Sequence, residues 1–362
     1  AATTCRSRSS SSNCMAPAAE VAAPAAKRPR QGGIGEDEDP PVASDDGPDS
    51  EYFDSYDELA VHALMLGDAP RVGAYAAAIR AHRASIEGRV VLDVGAGSGI
   101  LSLLAAKYGG AARVYAVEAA PGMARVARDL AARNGLASVV QVVEGKVEEI
   151  TLPEKVDVII SEWMGFYLVH ESMLESVLFA KDRWLKEGGL MLPSSAKIFA
   201  APVEAEVLRR EIEGYGCMYG LDMSPIGDWQ LARHCREPQV ELVEASRLLA
   251  PPVLAADLGD LCALKAGSTR EFIADVSFVA LRAGQAAGIA LWFDVGFGQP
   301  KSSRVQEVLL DTSPGAPPTH WKQTVVYLGV FAPVDAGEAL SAQLTFRQSA
   351  ENPRQYDITV ET

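Results

Sequence analysis

Residues 90–99 of the sequence read VVLDVGAGSG, a β-branched apolar run that passes directly into a glycine-rich turn. Such a run predicts a buried strand. In an open α/β sheet the turn after a strand lies at the carboxyl edge of the sheet, where ligands bind. Glycine suits this turn because a Cβ atom would block the close approach of a ligand to the backbone. The stretch therefore predicts a strand whose end contacts a ligand.

Three neighbouring positions indicate which kind of ligand. The next predicted strand ends at Glu118, about 20 residues past the turn, where an acidic side chain can hold both hydroxyls of a ribose. A dinucleotide fingerprint has glycine at position 100, but this sequence has Ile100. GxGxG after an acidic residue, here Asp93, is the form associated with S-adenosyl-L-methionine. The sequence thus favours this cofactor over the alternative of a purely structural turn.

Strand and helix patterns alternate around this turn. β-branched apolar runs are separated by alanine-rich stretches with helical spacing, and one or two helices precede them at about 52–85. The predicted strands are 90–94, 114–117, 139–143 and 156–160, and the predicted helices are 100–107 and 122–134. This alternation is typical of a doubly wound parallel sheet, so residues 51–193 are predicted to form an α/β Rossmann-like domain that binds S-adenosylmethionine.

The pattern changes to short strands after residue 193. They are predicted at 197–203, 272–281, 289–297, 323–328 and 340–347. Such a series predicts an antiparallel β barrel or sandwich over residues 194–362. A stretch at about 204–240 interrupts the strands with a helical segment and a turn rich in glycine and tyrosine, and an insertion of this kind often contacts a partner.

Composition limits the class of protein. The chain has 362 residues, of which 48% are hydrophobic and 22% charged, enough for one large core or two smaller ones. No apolar run approaches the roughly 20 residues that span a bilayer, and no signal-peptide pattern is present, so membrane insertion and secretion are not expected. The five cysteines show no CxxC or Cys/His spacing, which argues against disulfides and a metal site and fits a reducing compartment.

The net charge of the chain is strongly negative. A formal net charge of -15 argues against sequence-independent nucleic-acid binding and suits cationic partners, although solubility alone is the alternative explanation. Residues 1–50 contain few large apolar side chains and are predicted to be a disordered tail. Within this tail, Lys27 to Arg30 form a basic cluster of the nuclear-import type, or simply a solvated run of charge.

Two glutamates follow the fourth strand. Residues 161–173 read SEWMGFYLVHESM and place Glu162 and Glu171 in one loop, again at the carboxyl edge of the sheet. Its aromatic residues and methionines indicate that the loop is not fully exposed. Paired carboxylates could serve glycoside hydrolysis or a metal ion. Neither use explains a nucleoside site next to them, whereas a guanidinium held by two planar carboxylates does.

At these residues the sequence resembles the protein arginine methyltransferases. The resemblance covers about residues 50–362 and rests on four motifs in the correct order. They are YFDSY at 52–56, the glycine turn, the loop with two glutamates, and Thr319-His320-Trp321. Residues 184–193 and 291–297 look closest to the mainly nuclear, type I subfamily usually numbered six.

The resemblance implies roles for individual residues. His62 and Arg71 would close over the cofactor, and Arg71 would pair with its carboxylate. The remaining cofactor-binding residues would be Asp93, Gly95, Gly97, Glu118, Val147 and Glu148. The arginine channel would be lined by Tyr56, Met65, Met173 and Trp321. By default, the two methionines would be ordinary core residues.

The resemblance also implies the reaction. Glu162 and Glu171 would bind the guanidinium, and His320 with Asp68 would accept the released proton, although His320 could instead be purely structural. Two methionines with the Thr-His-Trp loop are the type I pattern, which gives monomethyl and asymmetric dimethylarginine. The implied partners are arginine-containing proteins such as histone tails, and the chain would act as a nuclear homodimer. Two alternatives remain: a methyltransferase for small molecules and a catalytically silent scaffold.

The insertion would then be a dimerisation arm. Apolar and aromatic residues are too frequent in it for a solvent-facing loop. Its predicted anchors are Tyr215, Met218, Tyr219, Leu221 and Met223. The alternative is that they pack onto the barrel of their own chain.

Overall fold

In the described part of the chain, three helices precede the first strand. The computed structural model describes residues 59–298 and 308–362, so the predicted tail, the motif at 52–56 and Tyr56 lie outside the described residues. The helices are α1 (Leu59–Gly67), α2 (Ala69–Ala81) and α3 (Arg83–Ile86). Asp68 caps α2, because its Oδ1 accepts a hydrogen bond from the backbone N–H of Arg71 at 3.0 Å.

A parallel sheet forms the core of the first half, with strand order β3-β2-β1-β4-β5. Its strands are β1 (Val90–Val94), β2 (Arg113–Glu118), β3 (Val140–Glu144), β4 (Val156–Ile160) and β5 (Leu185–Leu192). The helices beside them are α4 (Ile100–Leu104), which continues as a π-helical turn (Ala105–Gly109), α5 (Pro121–Arg133) and α6 (Met173–Trp184). The predicted α/β fold is confirmed, and β1 and β4 have the predicted bounds.

The burial of β1 is consistent with its position in the middle of the parallel sheet. Val91 to Val94 are all buried, and β1 is paired in parallel with β2 on one side and β4 on the other. A strand covered on both faces reads as a continuous apolar run, as this one does. Its end therefore lies in the middle of the carboxyl edge, with the ends of β2 and β4 beside it.

Two antiparallel sheets make up the second half. One has the order β7-β12-β10-β6-β8, with β11 paired to β10, and the other has the order β14-β13-β9. The strands are β6 (Ser195–Glu204), β7 (Gln239–Glu241), β8 (Val253–Asp257), β9 (Glu271–Val279), β10 (Gly284–Gly296), β11 (Leu309–Asp311), β12 (Gln323–Val334), β13 (Ala339–Gln348) and β14 (Tyr356–Glu361). All five predicted strands are present, and β7, β8, β11 and β14 are additional.

The insertion between β6 and β7 contains two helices, not the single helical segment that was predicted. They are α7 (Glu206–Gly214) and α8 (Ser224–His234). A tight turn separates them, in which the backbones of Met218 and Leu221 exchange two hydrogen bonds of 2.9 Å. The second helix was missed because its start, at Ser224-Pro225, follows a glycine-containing turn closely. No helix within 59–298 or 308–362 is long and apolar enough to cross a membrane.

Candidate active site

A cavity of about 580 Å³ opens at the carboxyl edge of the parallel sheet. Its walls come from α1 and α2, the turn after β1, the ends of β2 and β4, and two loops of the barrel domain. The predicted site residues among its walls are His62, Met65, Arg71, Gly95, Gly97, Glu118, Val147, Glu148, Glu162, Glu171, Met173, His320 and Trp321. The fold thus collects residues that are far apart in sequence around one space.

The glycine turn forms the floor of this cavity. Gly95 and Gly97 have φ values of 71° and 53°, in the left-handed region that favours glycine. A Cβ at Gly95 would lie 2.7 Å from Cε of Met173, and one at Gly97 would lie 3.2 Å from Cε1 of His62. Side chains here would fill the space in which a ligand can approach the backbone.

Glu118 lies at the end of β2 and faces the same cavity. Its Oε2 accepts a hydrogen bond from the N–H of Gly97 at 2.6 Å, and its Oε1 accepts one from Ala120 at 2.8 Å. Burial raises the pKa of this carboxyl, and the backbone hydrogen bonds partly offset that effect. The two bonds fix the side chain, and a carboxylate oxygen can accept more than one hydrogen bond.

Arg71 presents a buried cation to the cavity. Its side chain is 6% exposed, and its Nε lies 3.5 Å from Oε2 of Glu162. Within the described part of the chain, its buried Nε and Nη1 donate to no hydrogen-bond acceptor. A buried guanidinium with unused donors fits a carboxylate ligand, such as that of the methionine part of S-adenosylmethionine.

Asp93 was grouped with the cofactor-binding residues from the sequence, but the structure does not place it in the cavity wall. It is fully buried beneath the turn, and its Oδ2 accepts a hydrogen bond from Oγ of Ser102 at 2.7 Å. Burial raises its pKa to about 7, against the effect of the bonds from Ser102. Side chains alternate along a strand, so the last acidic residue of β1 faces a helix rather than the ligand space.

The loop after β4 presents the two glutamates. The side chain of Glu162 is 12% exposed, and its Oε1 accepts a hydrogen bond from the N–H of Met164 at 3.2 Å. Burial raises its pKa, Arg71 and His320 oppose this effect, and Glu171 adds to it. Backbone φ values are positive at Tyr167, Leu168, Glu171 and Ser172. Left-handed backbone at so many non-glycine residues shows that neighbouring structure imposes this loop conformation.

His320 is held against α2 by Asp68. Its Nδ1 lies 2.7 Å from Oδ2 of Asp68, and its backbone N–H donates to the same oxygen at 2.8 Å. Burial opposes ionisation of Asp68, but these bonds and one from Arg71 outweigh it and lower the pKa. Because an ionised carboxylate only accepts, Nδ1 carries the hydrogen and Nε2 is the nitrogen that can accept a proton.

Trp321 links the Thr-His-Trp loop of the barrel domain to the loop that carries the two glutamates. Its Nε1 donates a 2.8 Å hydrogen bond to the carbonyl oxygen of Met164, in the glutamate loop, and its ring centroid lies 4.1 Å from that of His320. Trp321 is itself buried. The Thr-His-Trp motif of the barrel domain is thus attached directly to the loop that carries the glutamates.

Arg354 is a cavity residue that the sequence did not single out. It lies between β13 and β14, and its backbone and guanidinium both contact the backbone of Glu171. Further unpredicted wall residues are Leu64, Leu66, Ser98, Lys146, Glu149 and Ser176. Arg354 could not be identified from the sequence, because its place in the cavity depends on how the barrel packs against the parallel sheet.

Two family models match the chain. Residues 91–189 match a methyltransferase domain, and residues 194–362 match an arginine methyltransferase oligomerization subdomain. Together they cover the parallel sheet and the barrel domain, in the order in which the chain forms them.

Similar proteins carry the same family name. A probable protein arginine N-methyltransferase 6 of Arabidopsis thaliana is 38% identical over 86% of this chain and 78% of its own length. Protein arginine N-methyltransferase 6 of Xenopus tropicalis is 39% identical over 84% of this chain and 89% of its own length. A solved Trypanosoma brucei PRMT1 enzyme-prozyme heterotetrameric complex with AdoHcy has a TM-score of 0.76 and 33% identity, covering 84% of this chain and 93% of that one. The chain belongs to the S-adenosylmethionine-dependent protein arginine N-methyltransferases, and relatives numbered six are among its most similar.

Proposed function

We propose that this protein arginine N-methyltransferase holds its substrate guanidinium between Glu162 and Glu171 and produces monomethyl and asymmetric dimethylarginine, as a type I enzyme. The observation that carries the proposal is the convergence of both glutamates on one cavity with the glycine turn and the buried Arg71. Two planar carboxylates match the fork of donors on a guanidinium. A small neutral substrate would not need this charge.

Residues of the cavity wall would hold the cofactor. Arg71 would bind its carboxylate, Glu118 its ribose hydroxyls, and Val147 and Glu148 its adenine, while His62 would cover it. The residues present fit this group, because Arg71 has unused donors and the glycine turn leaves its backbone open. When bound, S-adenosylmethionine supplies an electrophilic methyl group on its sulfonium.

The glutamates bind and orient the nucleophile. A free arginine side chain is protonated, with a pKa above about 12, and is a poor nucleophile. Charge-assisted hydrogen bonds donated by the guanidinium to Glu162 and Glu171 fix its plane and concentrate electron density on one nitrogen. His320 accepts the released proton at Nε2, and Asp68 stabilises the resulting imidazolium.

The type I assignment is supported by the channel walls. Met65 and Met173 both line the cavity, together with Trp321. Flexible methionines can adjust to a monomethylated side chain, and they leave the same nitrogen available for a second transfer. This pattern, with the Thr-His-Trp loop, is the type I pattern that the family resemblance implies.

Partners and assembly belong to the same proposal. A net charge of -15 suits basic substrates such as histone tails, and the basic cluster at 27–30 suits nuclear import. The match to an oligomerization subdomain and the exposed apolar side chains of the insertion support a homodimer. We therefore propose a nuclear, dimeric enzyme that acts on histones.

One assay tests the reaction. The purified protein is incubated with methyl-labelled cofactor and an arginine-rich histone-tail peptide, and mass spectrometry identifies the methylated residue and its symmetry. We expect asymmetric dimethylarginine, and no label on a control peptide with lysine at each arginine. Symmetric dimethylarginine would overturn the type I assignment. Label only on free guanidino compounds would favour a small-molecule enzyme, and no label at all would favour a scaffold.

A further inference from the structure

We propose that Arg354, in the loop between β13 and β14, is a positioning residue that holds Glu171 in its reactive orientation. The inference rests on the proposed guanidinium-binding role of Glu171. The two residues are 183 positions apart in sequence, yet they contact each other and line the same cavity. The barrel domain would thereby fix a side chain that the parallel-sheet domain carries.

Glu171 needs an external restraint because of its backbone. Its φ is 74° and that of Ser172 is 54°, so two consecutive non-glycine residues occupy the left-handed region. Such a conformation persists only where the surroundings impose it. This φ also sets the direction of the Glu171 side chain, because rotation about the N–Cα bond turns the Cα–Cβ bond with it. Relaxation of the backbone would therefore turn the carboxylate away from its partner, Glu162.

Arg354 contacts both peptide groups of Glu171. The N–H of Glu171 donates to the carbonyl oxygen of Arg354 at 2.6 Å, and Nη1 of Arg354 donates to the carbonyl oxygen of Glu171 at 3.2 Å. The next residue is held by the same loop, because Oγ of Ser172 donates to the carbonyl oxygen of Pro353 at 2.6 Å. Nε2 of Gln348 donates to Oγ of Ser172 at 3.0 Å and to Pro353 at 2.6 Å.

The loop is itself well fixed. The N–H of Ser349 donates to Gln355 at 2.9 Å, and that of Gln355 donates to the carbonyl oxygen of Asn352 at 2.9 Å. The N–H of Arg354 donates to Oδ1 of Asn352 at 3.0 Å. Donors and acceptors arranged in advance can hold a strained neighbour without being reorganised themselves. The loop is therefore a rigid support for Glu171.

Two single variants, with one matched control, test the role of the Arg354 guanidinium. Arg354→Ala keeps the backbone contact with Glu171 but removes the bond from Nη1, so we expect kcat to fall roughly 10- to 100-fold, as displacement of a reacting group does. Cofactor affinity and the thermal midpoint should stay at wild-type values. Arg354→Lys keeps a charged donor and should restore part of kcat. Arg347→Ala is the matched control, since Arg347 lies in the same hairpin in an exposed pair with Glu271.

A double-mutant cycle separates positioning from fold support. The affinity of an arginine-containing peptide is measured by calorimetry for wild type, Arg354→Ala, Glu171→Gln and the double variant, each saturated with demethylated cofactor. If Arg354 acts through Glu171, its loss costs little affinity once Glu171 is already neutral. Additive losses would overturn the inference, as would wild-type kcat in Arg354→Ala or a parallel fall in kcat, cofactor affinity and thermal midpoint. Wild-type behaviour of Glu171→Gln would instead overturn the proposed role of Glu171.

Discussion

Glu162 shows how surroundings prepare one side chain for its proposed task. Burial raises the pKa of its carboxyl, while the nearby Arg71 and His320 lower it and Glu171 raises it again. A cation placed between the two glutamates favours the ionised form of both, since opposite charges at short range lower a carboxyl pKa. Binding of a guanidinium and ionisation of Glu162 are therefore coupled.

Replacement of Glu162 by glutamine tests this charge. Glu162→Gln should lower methyl transfer by roughly 100- to 1,000-fold, as loss of one electrostatic partner of a transition state does. Cofactor affinity should stay nearly unchanged, because the turn after β1 is intact. Labelled-methyl transfer and calorimetry with the demethylated cofactor give the two values. Glu87→Gln, in an exposed pair with Arg83, is the control, and wild-type turnover of Glu162→Gln would contradict the two-glutamate mechanism.

Loss of Glu118 should act on the cofactor instead. Glu118→Ala is expected to weaken cofactor binding by roughly 1.5 to 3 kcal/mol, the range for hydrogen bonds to a charged group. The same change frees the N–H of Gly97, so thermal unfolding without cofactor must be measured beside the calorimetric affinity. An unchanged affinity would refute the ribose role.

Cavity residues were easiest to predict from the sequence where the end of a single strand determines their position. Gly95 and Gly97 follow β1 and Glu118 ends β2, two strands with a strong apolar pattern, and the structure places all three in the cavity wall. Asp93 lies outside the cavity wall, because its side chain is directed toward Ser102 and accepts a hydrogen bond from it. Arg354 could not be predicted, since the pattern of β14 does not reveal which loop it meets.

Among the strands, pattern strength decided what the sequence could predict. The strands β1 and β4 are largely buried and apolar apart from one aspartate each, and their bounds were predicted correctly. Two glycines interrupt β5, so its apolar pattern is weak. The residues of β14 alternate between apolar and polar, which is a strand pattern that the sequence analysis did not use. Short strands such as β7 and β11, of three residues each, gain their structure from the neighbours they pair with.

The pairing of β10 with β11 places two carboxyl groups opposite each other. Asp294 faces Asp311 in the antiparallel ladder and Lys197 on the other side. Burial and the nearby Asp311 raise the pKa of Asp294 to about 7, and Lys197 opposes them. The folded state thus binds this proton more tightly than the unfolded chain, so stability is lost as pH rises from about 4 through about 7.

Asp294→Asn should therefore stabilise the protein above pH 7. We expect the free energy of unfolding at pH 8 to rise by about 1 to 2 kcal/mol, a value that allows for solvent screening of a half-buried carboxylate. The gain should be smaller at pH 5.5, where the folded wild type is mainly protonated. Urea unfolding at both pH values measures it, with the exposed Asp335→Asn as control. A gain of equal size at both pH values would show that titration of Asp294 is not the cause.

The insertion between β6 and β7 exposes several large apolar side chains. Tyr219 is 98% exposed, and Val207, Leu221 and Trp229 are also exposed. Leu208 is buried against the barrel domain and anchors α7 there. The predicted alternative, that the turn residues pack onto their own chain, does not hold for Tyr219 and Leu221. Such a surface fits a second copy of the chain.

Polar substitution in the arm tests the proposed dimer. Joint replacement of Leu221 and Met223 by serine should give monomers with weaker cofactor affinity and little activity, because a docked arm would steady the helices that carry His62 and Arg71. Sedimentation and calorimetry measure the two effects. Serine at the exposed Val279 and Leu281 is the control, since these residues lie outside the arm. A fully active dimer would exclude the arm as the contact, and a fully active monomer would exclude the coupling.

The cavity wall runs through nearly the whole described chain, from His62 in α1 to Arg354 before β14. During translation, the glycine turn and both glutamates leave the ribosome long before the loop that contacts Glu171. A nascent chain can thus fold its parallel sheet, yet the cavity lacks the wall residue Arg354 until the hairpin of β13 and β14 has emerged. The enzyme therefore cannot complete its site while Arg354 is still in the exit tunnel, which separates the synthesis of the glutamate loop from its first turnover.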